Sequence, residues 1–394
     1  MLSKRVATYA LAASITSWVF RCHAALSPYP EVEWEVPPLL TNIPQTAAQI
    51  AYGAEYGRIP GPLEFFQPPI DANLTIYSKT SAHLTGNYTF AASDVLAVLS
   101  KRIASSFMEM HPEVQINIPP PYSGSIGALE LINGTLDGLF VSRELKPTDI
   151  STFAAVFGYK PLSIPIGGGS YRQYGFLDGL SFVVNKANPI ESLTFEQLDS
   201  IFSTTRWRGG PAITKWRQLG VKGEFGHQKI KLYGIQPWNG FEEFVRESVL
   251  SVGNLRGEWR SGNVSDPEYD PDVHWETTVF KNAGSVSNDT AGIGYTGFAY
   301  IDQPVKVLAL TSSNATAPVA GTYKNVATAQ YPLSRIFYFN LNKVPGKELD
   351  PVLAEFLKFV LSKDGQQLVL DQGIFLPLRL FQQSSSLAML AAAP

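Results

Sequence analysis

From Leu84 onward, short apolar runs alternate with amphipathic stretches of helical period, and this alternation restricts the fold more than any other feature of the chain. Residues 84–92 read as a strand that ends in Ser93-Asp94, a helix N-cap pair. Val95, Leu96, Val98, Leu99, Ile103 and Phe107 then outline a helix closed by His111-Pro112, and 114–118 is a short strand. Residues 159–166 and 180–185 read as strands on either side of a Gly167-Gly168-Gly169 turn. Thr194-Phe195-Glu196-Gln197 is a capping box that opens a helix to Phe202. A strand at 230–233, a turn at 236–240 and a helix over 241–249 follow. Strands near 305–310 and at 336–341 come next, and the spacing predicts one long helix over 351–370. The pattern predicts an α/β protein with mostly parallel sheets.

The most informative segment is 121–147. Tyr122-Ser123-Gly124-Ser125 is a hydroxyl-rich turn, followed by helical spacing at Ile126, Leu129 and Ile132. A buried-type run at 136–141 delivers Ser142-Arg143 at its carboxyl end. A turn that opens a helix leaves backbone N–H groups pointing outward at the positive end of the dipole, which suits an anion. The Ser-Arg pair adds a hydroxyl and a fork donor where open α/β sheets hold their ligands.

Hydrophobic residues make up 45% of the 394 residues and charged ones 16%, so the chain is long and apolar enough for two cored lobes. A net charge of −3 argues against a nucleic-acid or anionic-membrane partner, so anion selectivity has to be local. Lys4-Arg5, an apolar stretch over 6–20 and Ala24-Ala25 read as an export signal spanning 1–25. No later segment reaches spanning length, and a soluble mature chain is expected. The single cysteine, Cys22, leaves with the signal, which excludes disulfides and a cysteine nucleophile. Asn-X-Ser/Thr triplets at Asn73, Asn87, Asn133, Asn263, Asn288 and Asn314 point toward a glycosylating secretory route. Residues 26–83 are rich in proline and aromatic residues and read as an irregular arm.

In chain order, Ala92-Ser93-Asp94, Tyr122-Ser123-Gly124-Ser125, Val141-Ser142-Arg143 and Asn188-Pro189-Ile190 with Leu198-Asp199-Ser200-Ile201-Phe202 resemble one known family. So do Trp207-Arg208-Gly209-Gly210 through Trp216, Ala291-Gly292-Ile293-Gly294-Tyr295, Tyr331-Pro332-Leu333-Ser334-Arg335, and Ser362-Lys363-Asp364-Gly365-Gln366 before Leu376-Pro377-Leu378. The family is the PstS-type phosphate-binding proteins, the substrate-binding components of phosphate ABC importers. It belongs to the type II periplasmic-binding-protein class, and the resemblance spans 84–378. It implies two α/β lobes joined by two crossover strands, with lobe I at 84–166 and 330–383, lobe II at 167–329 and a tail at 384–394. It also implies hinge closure on phosphate or a related small oxyanion, with no cofactor, no metal and no catalysis. In a bacterium the protein would be periplasmic and would meet an ABC permease; in a eukaryote it would be extracellular.

By position the resemblance assigns the ligand to Ser93, Asp94 and Val95 in the first loop, Ser123, Gly124 and Ser125 in the second, and Ser142 and Arg143 in the third. Asn239 and Gly240 face them from the other lobe. Asp94 would pair with Arg143 or take the proton of monohydrogen phosphate, rejecting fully ionised sulfate. Three positions depart from the family. Ile235 stands in place of an arginine, Asn239-Gly240-Phe241 in place of Ser-Gly-Thr, and Val95 in place of a hydroxyl residue. Each missing charge-assisted contact is worth on the order of 1–3 kcal/mol. An alternative is a binding-protein fold turned to a larger ligand or to surface recognition, with Trp238 and Gly169-Ser170-Tyr171-Arg172 lining the pocket. A secreted hydrolase is the weakest reading. The histidines (His23, His83, His111, His227, His274) make no metal spacing, and Gly167-Gly168-Gly169-Ser170 has no GxSxG elbow to serve.

Overall fold

The computed structural model describes residues 68–171, 177–236, 240–277, 279, 281–301, 303–313 and 315–392. The expected signal at 1–25, residues 26–67 of the arm, and Arg172, Trp238, Asn239 and Asn314 lie outside the described residues.

The chain begins with β1 (Gly86–Ala92) and a 3-10 turn (Asp94–Leu96) that runs into α1 (Ala97–Met110). Next come β2 (Val114–Asn117), α2 (Gly124–Ile132), β3 (Gly138–Val141), α3 (Pro147–Phe157) and β4 (Leu162–Gly168). The middle of the chain supplies β5 (Leu180–Asn185), β6 (Ser192–Thr194), α4 (Phe195–Phe202), α5 (Gly223–His227) and β7 (Lys231–Ile235). After these stand α6 (Gly240–Val245, extended by a π-helical turn Arg246–Leu250), β8 (Val273–Glu276), α7 (Asn282–Ser287) and β9 (Gly292–Gly297). Short β10 (Val305–Val307), β11 (Ala309–Thr311) and α8 (Tyr323–Ala327) lead to β12 (Ile336–Leu341), α9 (Pro351–Leu361), α10 (Lys363–Asp371) and α11 (Leu380–Ala392).

Two five-stranded sheets result, ordered β2-β1-β3-β12-β4 and β10-β5-β9-β7-β8. The chain passes from the first to the second after β4 and returns before β12, so two α/β lobes are joined by two crossovers. The crossovers lie side by side, with Gly169 N–H donating to the Arg335 carbonyl at 2.8 Å and Leu180 N–H to the Leu333 carbonyl at 3.1 Å.

The sheets are mixed rather than mostly parallel. β1 pairs parallel with β2 and β3, and β7 with β8 and β9, but β12 is antiparallel to β3 and β4 and β5 is antiparallel to β9 and β10. One crossover leaves the first lobe where the other enters it, so β4 and β12 must run in opposite directions. The three glycines expected as a turn are not one. Gly167 and Gly168 pair with Phe337 and Ile336 inside β4, and a Cβ on Gly167 would lie 2.1 Å from the Phe337 ring. The glycines make room for that ring.

β9 carries three glycines and reads poorly as a strand, yet it is central to the second sheet. A Cβ on Gly294 would meet the Tyr233 carbonyl at 2.8 Å. The expected single helix over 351–370 is two, because Ser362 ends α9 and its hydroxyl accepts from Gly365 N–H to cap α10. The expected tail at 384–394 begins inside α11. There Gln383 donates to the Leu361 carbonyl and Ser386 to the Pro165 carbonyl, each at 2.7 Å, which holds the helix on the first lobe.

The last part of the arm, 68–83, is bonded to the same lobe. Tyr77 N–H donates to Asp364 at 2.7 Å, its hydroxyl donates to Glu355 at 2.7 Å, and Thr80 N–H reaches the same carboxylate at 2.8 Å.

The first lobe is cored by aromatic rings. Phe356 on α9 meets Phe90, Phe107 and Phe339 at centroid distances of 5.2, 5.3 and 5.5 Å, and all four are fully buried. Truncation of Phe356 opens a cavity that three stiff rings cannot collapse into. Phe356→Ala is expected to lower stability by about 3–5 kcal/mol, measured as a shift in the urea midpoint.

Candidate site between the lobes

β1 and β3 are adjacent and parallel, with Ala92 opposite Phe140, so the residues that follow each strand emerge side by side at the carboxyl edge of the sheet. Ser93 N–H donates to the Phe140 carbonyl at 2.9 Å, and the Ser93 hydroxyl accepts from Ser142 N–H at 3.1 Å. The Ser93 side chain therefore ties the first loop to the third. It makes no cap bond to the turn that follows, contrary to the expected N-cap role. The second loop joins them, since a Cβ on Gly124 would sit 3.6 Å from the Ser93 Cβ and 3.4 Å from Val141. Three loops far apart in sequence thus meet at one place.

Ser123 caps α2 by accepting from Ile126 N–H at 3.4 Å, and its carbonyl takes Gly127 N–H at 2.9 Å. The Gly124 and Ser125 N–H groups of the first turn have no intrahelical acceptor and point off the helix end. Ser125 is exposed, and Ser142 and Val95 are half-buried.

Arg143 does not pair with Asp94, as the sequence suggested. It donates to the Glu144 carbonyl at 2.7 Å and lies 3.5 Å from Asp149, whose carboxylate also takes Lys146 N–H at 3.0 Å. Asp149 sits in the first turn of α3, close enough to claim the guanidinium, whereas Asp94 is exposed on its 3-10 turn.

Across from this loop stands α6. Gly240, Glu243, Phe244 and Glu247 face Arg143, Glu144, Leu145 and Lys146 around a cavity of about 10 Å³. That is room for roughly one water, so a tetrahedral anion enters only if the walls part. Asn239 lies outside the described residues, and Gly240 is the exposed first residue of α6.

The opposing wall is acidic. Arg256 binds Glu243 at 2.8 Å and Glu247 at 2.6 Å. The bond from Arg256 holds the Glu243 carboxyl below its ordinary value, while burial pushes Glu247 above its own.

Ile235, at the family's arginine position, is buried at the end of β7 with its N–H and carbonyl both engaged by the Tyr295 hydroxyl, at 3.1 and 3.2 Å. Gly169, Ser170 and Tyr171 do not line an open pocket. Gly169 is bonded to Arg335, and Tyr171 packs on Phe298 inside the second lobe. A larger cavity of about 650 Å³ lies elsewhere on that lobe, walled by Trp259, Trp275, Arg246, Arg260 and Asn263.

Sequence reasoning passed over one group. Arg335, in the returning crossover, is 5% exposed, and its guanidinium lies 4.3 Å from the Phe244 ring centroid. The motif Tyr331-Pro332-Leu333-Ser334-Arg335 was legible, but nothing in it shows that the arginine is buried. Among the described residues no cluster of His, Cys, Asp or Glu is placed to hold a metal. None of the described helices is long and apolar enough to cross a membrane.

Residues 78–364 match the PBP superfamily domain. The chain is 34% identical over 310 residues to the phosphate-binding protein PstS of Pseudomonas aeruginosa, covering 78% of this chain and 88% of that one. It is 26% identical to the phosphate-binding protein PstS of Bacillus subtilis over 75% of this chain and 82% of the other. Protein SphX of Synechococcus elongatus is 24% identical over 71% and 74%. The chain therefore belongs to the type II periplasmic-binding-protein class and, within it, to the PstS-type proteins.

Because Glu243 is held low in the fold, its ionised form contributes stability above the ordinary carboxyl value of 4.5, and that contribution is lost as the pH falls through the lower folded value. Glu247, held high, opposes it. Arg256→Met raises both carboxyls, so the variant is expected to be less stable than the parent at pH 7 and to lose less on acidification. Urea midpoints at pH 7 and pH 4 measure the difference.

Proposed function

We propose that the chain is an exported solute receptor that takes up phosphate, or a related small oxyanion, between its two lobes by hinge closure. The observation that carries this reading is the meeting of the three loops at the carboxyl ends of β1 and β3, in a chain 34% identical to a phosphate-binding protein. A dehydrated oxyanion needs many neutral donors converging on it with limited positive charge. The free amides of Asp94, Val95, Gly124 and Ser125, the hydroxyls of Ser123, Ser125 and Ser142, and the charge of Arg143 make such a set. Ser93 contributes by holding the loops together, and Gly240 faces the third loop from the other lobe. On this reading the hinge lies at the paired crossovers, after β4 and before β12. In a bacterial host the loaded receptor would dock on an ABC permease from the periplasm.

Three carboxylates, Glu144, Glu243 and Glu247, line the cavity. A bare dianion facing them is disfavoured, whereas an anion that carries a proton can donate it to one of them. This favours monohydrogen phosphate over sulfate and moves the discriminating role from Asp94 to the acids of the cavity. A second reading, a larger ligand with an aromatic or sugar face, rests on the cavity walled by Trp259 and Trp275.

Calorimetric titration of the mature protein with phosphate, and with sulfate as control, tests the proposal. Phosphate is expected to bind with a Kd on the order of 1 μM or tighter, and sulfate at least about 100-fold more weakly. Ser125→Ala and Arg143→Ala are each expected to weaken phosphate about 10-fold or more. Equal response to both anions, or to neither, sinks the reading.

A further inference from the structure

We infer that Arg335 is a direct ligand of the anion held between the lobes, supplying the guanidinium that β7 lacks at Ile235. The inference rests on the reading of that gap as an oxyanion site.

The first ground is the state of the side chain. Arg335 is 5% exposed, and its Nε and Nη1 atoms are buried without a hydrogen-bond partner. A guanidinium carries five N–H donors and does not give up its charge, so a buried one is ordinarily paired. Arg246 and Arg260, the other buried arginines among the described residues, obey this rule. Arg246 bridges Glu242 and Glu258, and Arg260 bridges Asp270.

The surroundings of Arg335 attract its charge without using its donors. Phe244 lies under the guanidinium at 4.3 Å and Phe241 at 6.0 Å, and ring faces attract a cation without accepting its in-plane N–H groups. Glu144 and Asp178 pull on it electrostatically without accepting a hydrogen bond from its Nε or Nη1. Glu144 takes the Tyr338 hydroxyl at 3.0 Å and Asp178 takes Ala299 N–H at 2.9 Å.

The second ground is place. Arg335 sits in the crossover whose carbonyl is bonded to Gly169, so its backbone is part of the hinge. Its guanidinium is stacked on Phe244, which with Glu144, Arg143 and Gly240 walls the cavity between the lobes. Parting those walls to admit an anion moves Phe244, and the guanidinium with its unpaired Nε and Nη1 lies 4.3 Å from that ring.

The third ground is charge. Arg143, the cation nearest the family loops, is already engaged by Asp149. Arg335 is the buried cation with donors still to give, in the geometry that grips two oxygens of a tetrahedral anion at once.

A structural arginine and a ligand-binding arginine respond oppositely to Arg335→Met. If the guanidinium holds the fold, its removal lowers the melting temperature of the unliganded protein. If it waits for an anion, its removal relieves a buried unpaired charge. The melting temperature of the free variant then stays level or rises, while affinity falls. The wild type, Arg335→Met and Arg335→Lys are titrated with inorganic phosphate, sulfate and methylphosphonate, and each is melted without ligand.

The expected result is a loss of at least about 10-fold in anion affinity for Arg335→Met, with no drop in melting temperature, and a smaller loss for Arg335→Lys. Wild-type affinity retained by Arg335→Met overturns the inference and leaves the phosphate reading standing. Should Arg335→Met not fold, Arg335→Lys decides by the same criterion. If the wild type binds sulfate or methylphosphonate instead of phosphate, and Arg335→Met loses that binding, the inference stands and the phosphate reading falls. Silence of the wild type toward all three anions overturns both.

Discussion

The pairing of the two crossovers at Gly169 and Arg335 is the constraint on which the rest of the molecule depends. Gly169 N–H donates to the Arg335 carbonyl, and a side chain on Gly169 would strike the Leu177 carbonyl at 2.1 Å and the Arg335 Cβ at 2.8 Å. Only a glycine lets the outgoing and returning chains lie this close. Their opposite directions make β12 antiparallel to both its neighbours, and wedge it between β3 and β4. That strand in turn fills the first lobe with Phe337 and Phe339, over glycines that accommodate both rings.

The same arrangement decides where chemistry can occur. Parallel β1 and β3 deliver Ser93 and Ser142 to one edge, and the single bond between them spans 49 residues of sequence. α2 is brought against that edge by the close contact of Gly127 with Leu139 and Ala91. The proposed site is therefore made from neutral donors at the ends of well-packed elements. Its charged groups are mostly committed elsewhere, Arg143 to Asp149 and Arg256 to two glutamates.

An acidic second wall facing a donor-rich first wall gives the gap a mixed character. Hydroxyl and amide donors stabilise an anion, while the carboxylates act against any anion without a proton to share. On the proposed reading, selectivity follows from protonation state as well as from shape. The buried Arg335 fits the same logic, since a guanidinium with unused donors is costly in the free protein and favourable only against an anion.

The class of fold was legible because periodicity is local. Apolar alternation gave most strands and helices to within a few residues, and Thr194, Ser123 and the strand ends behaved as their side chains dictate. What was missed depended on partners distant in sequence. β9 was not assigned as a strand, and Tyr233 packs against its glycines, while Gly167 looked like a turn until Phe337 is placed on it. Asp94 was the expected partner of Arg143 in the linear chain, and only the start of α3 put Asp149 in reach instead. The sequence by itself determined an α/β chain of the PstS type and the three loops that the fold brings together, because propensity, capping and motif are properties of neighbouring residues. The tertiary structure alone decided strand direction, the partner of Arg143 and the burial of Arg335, because each of these is set by which distant segments the hinge brings together.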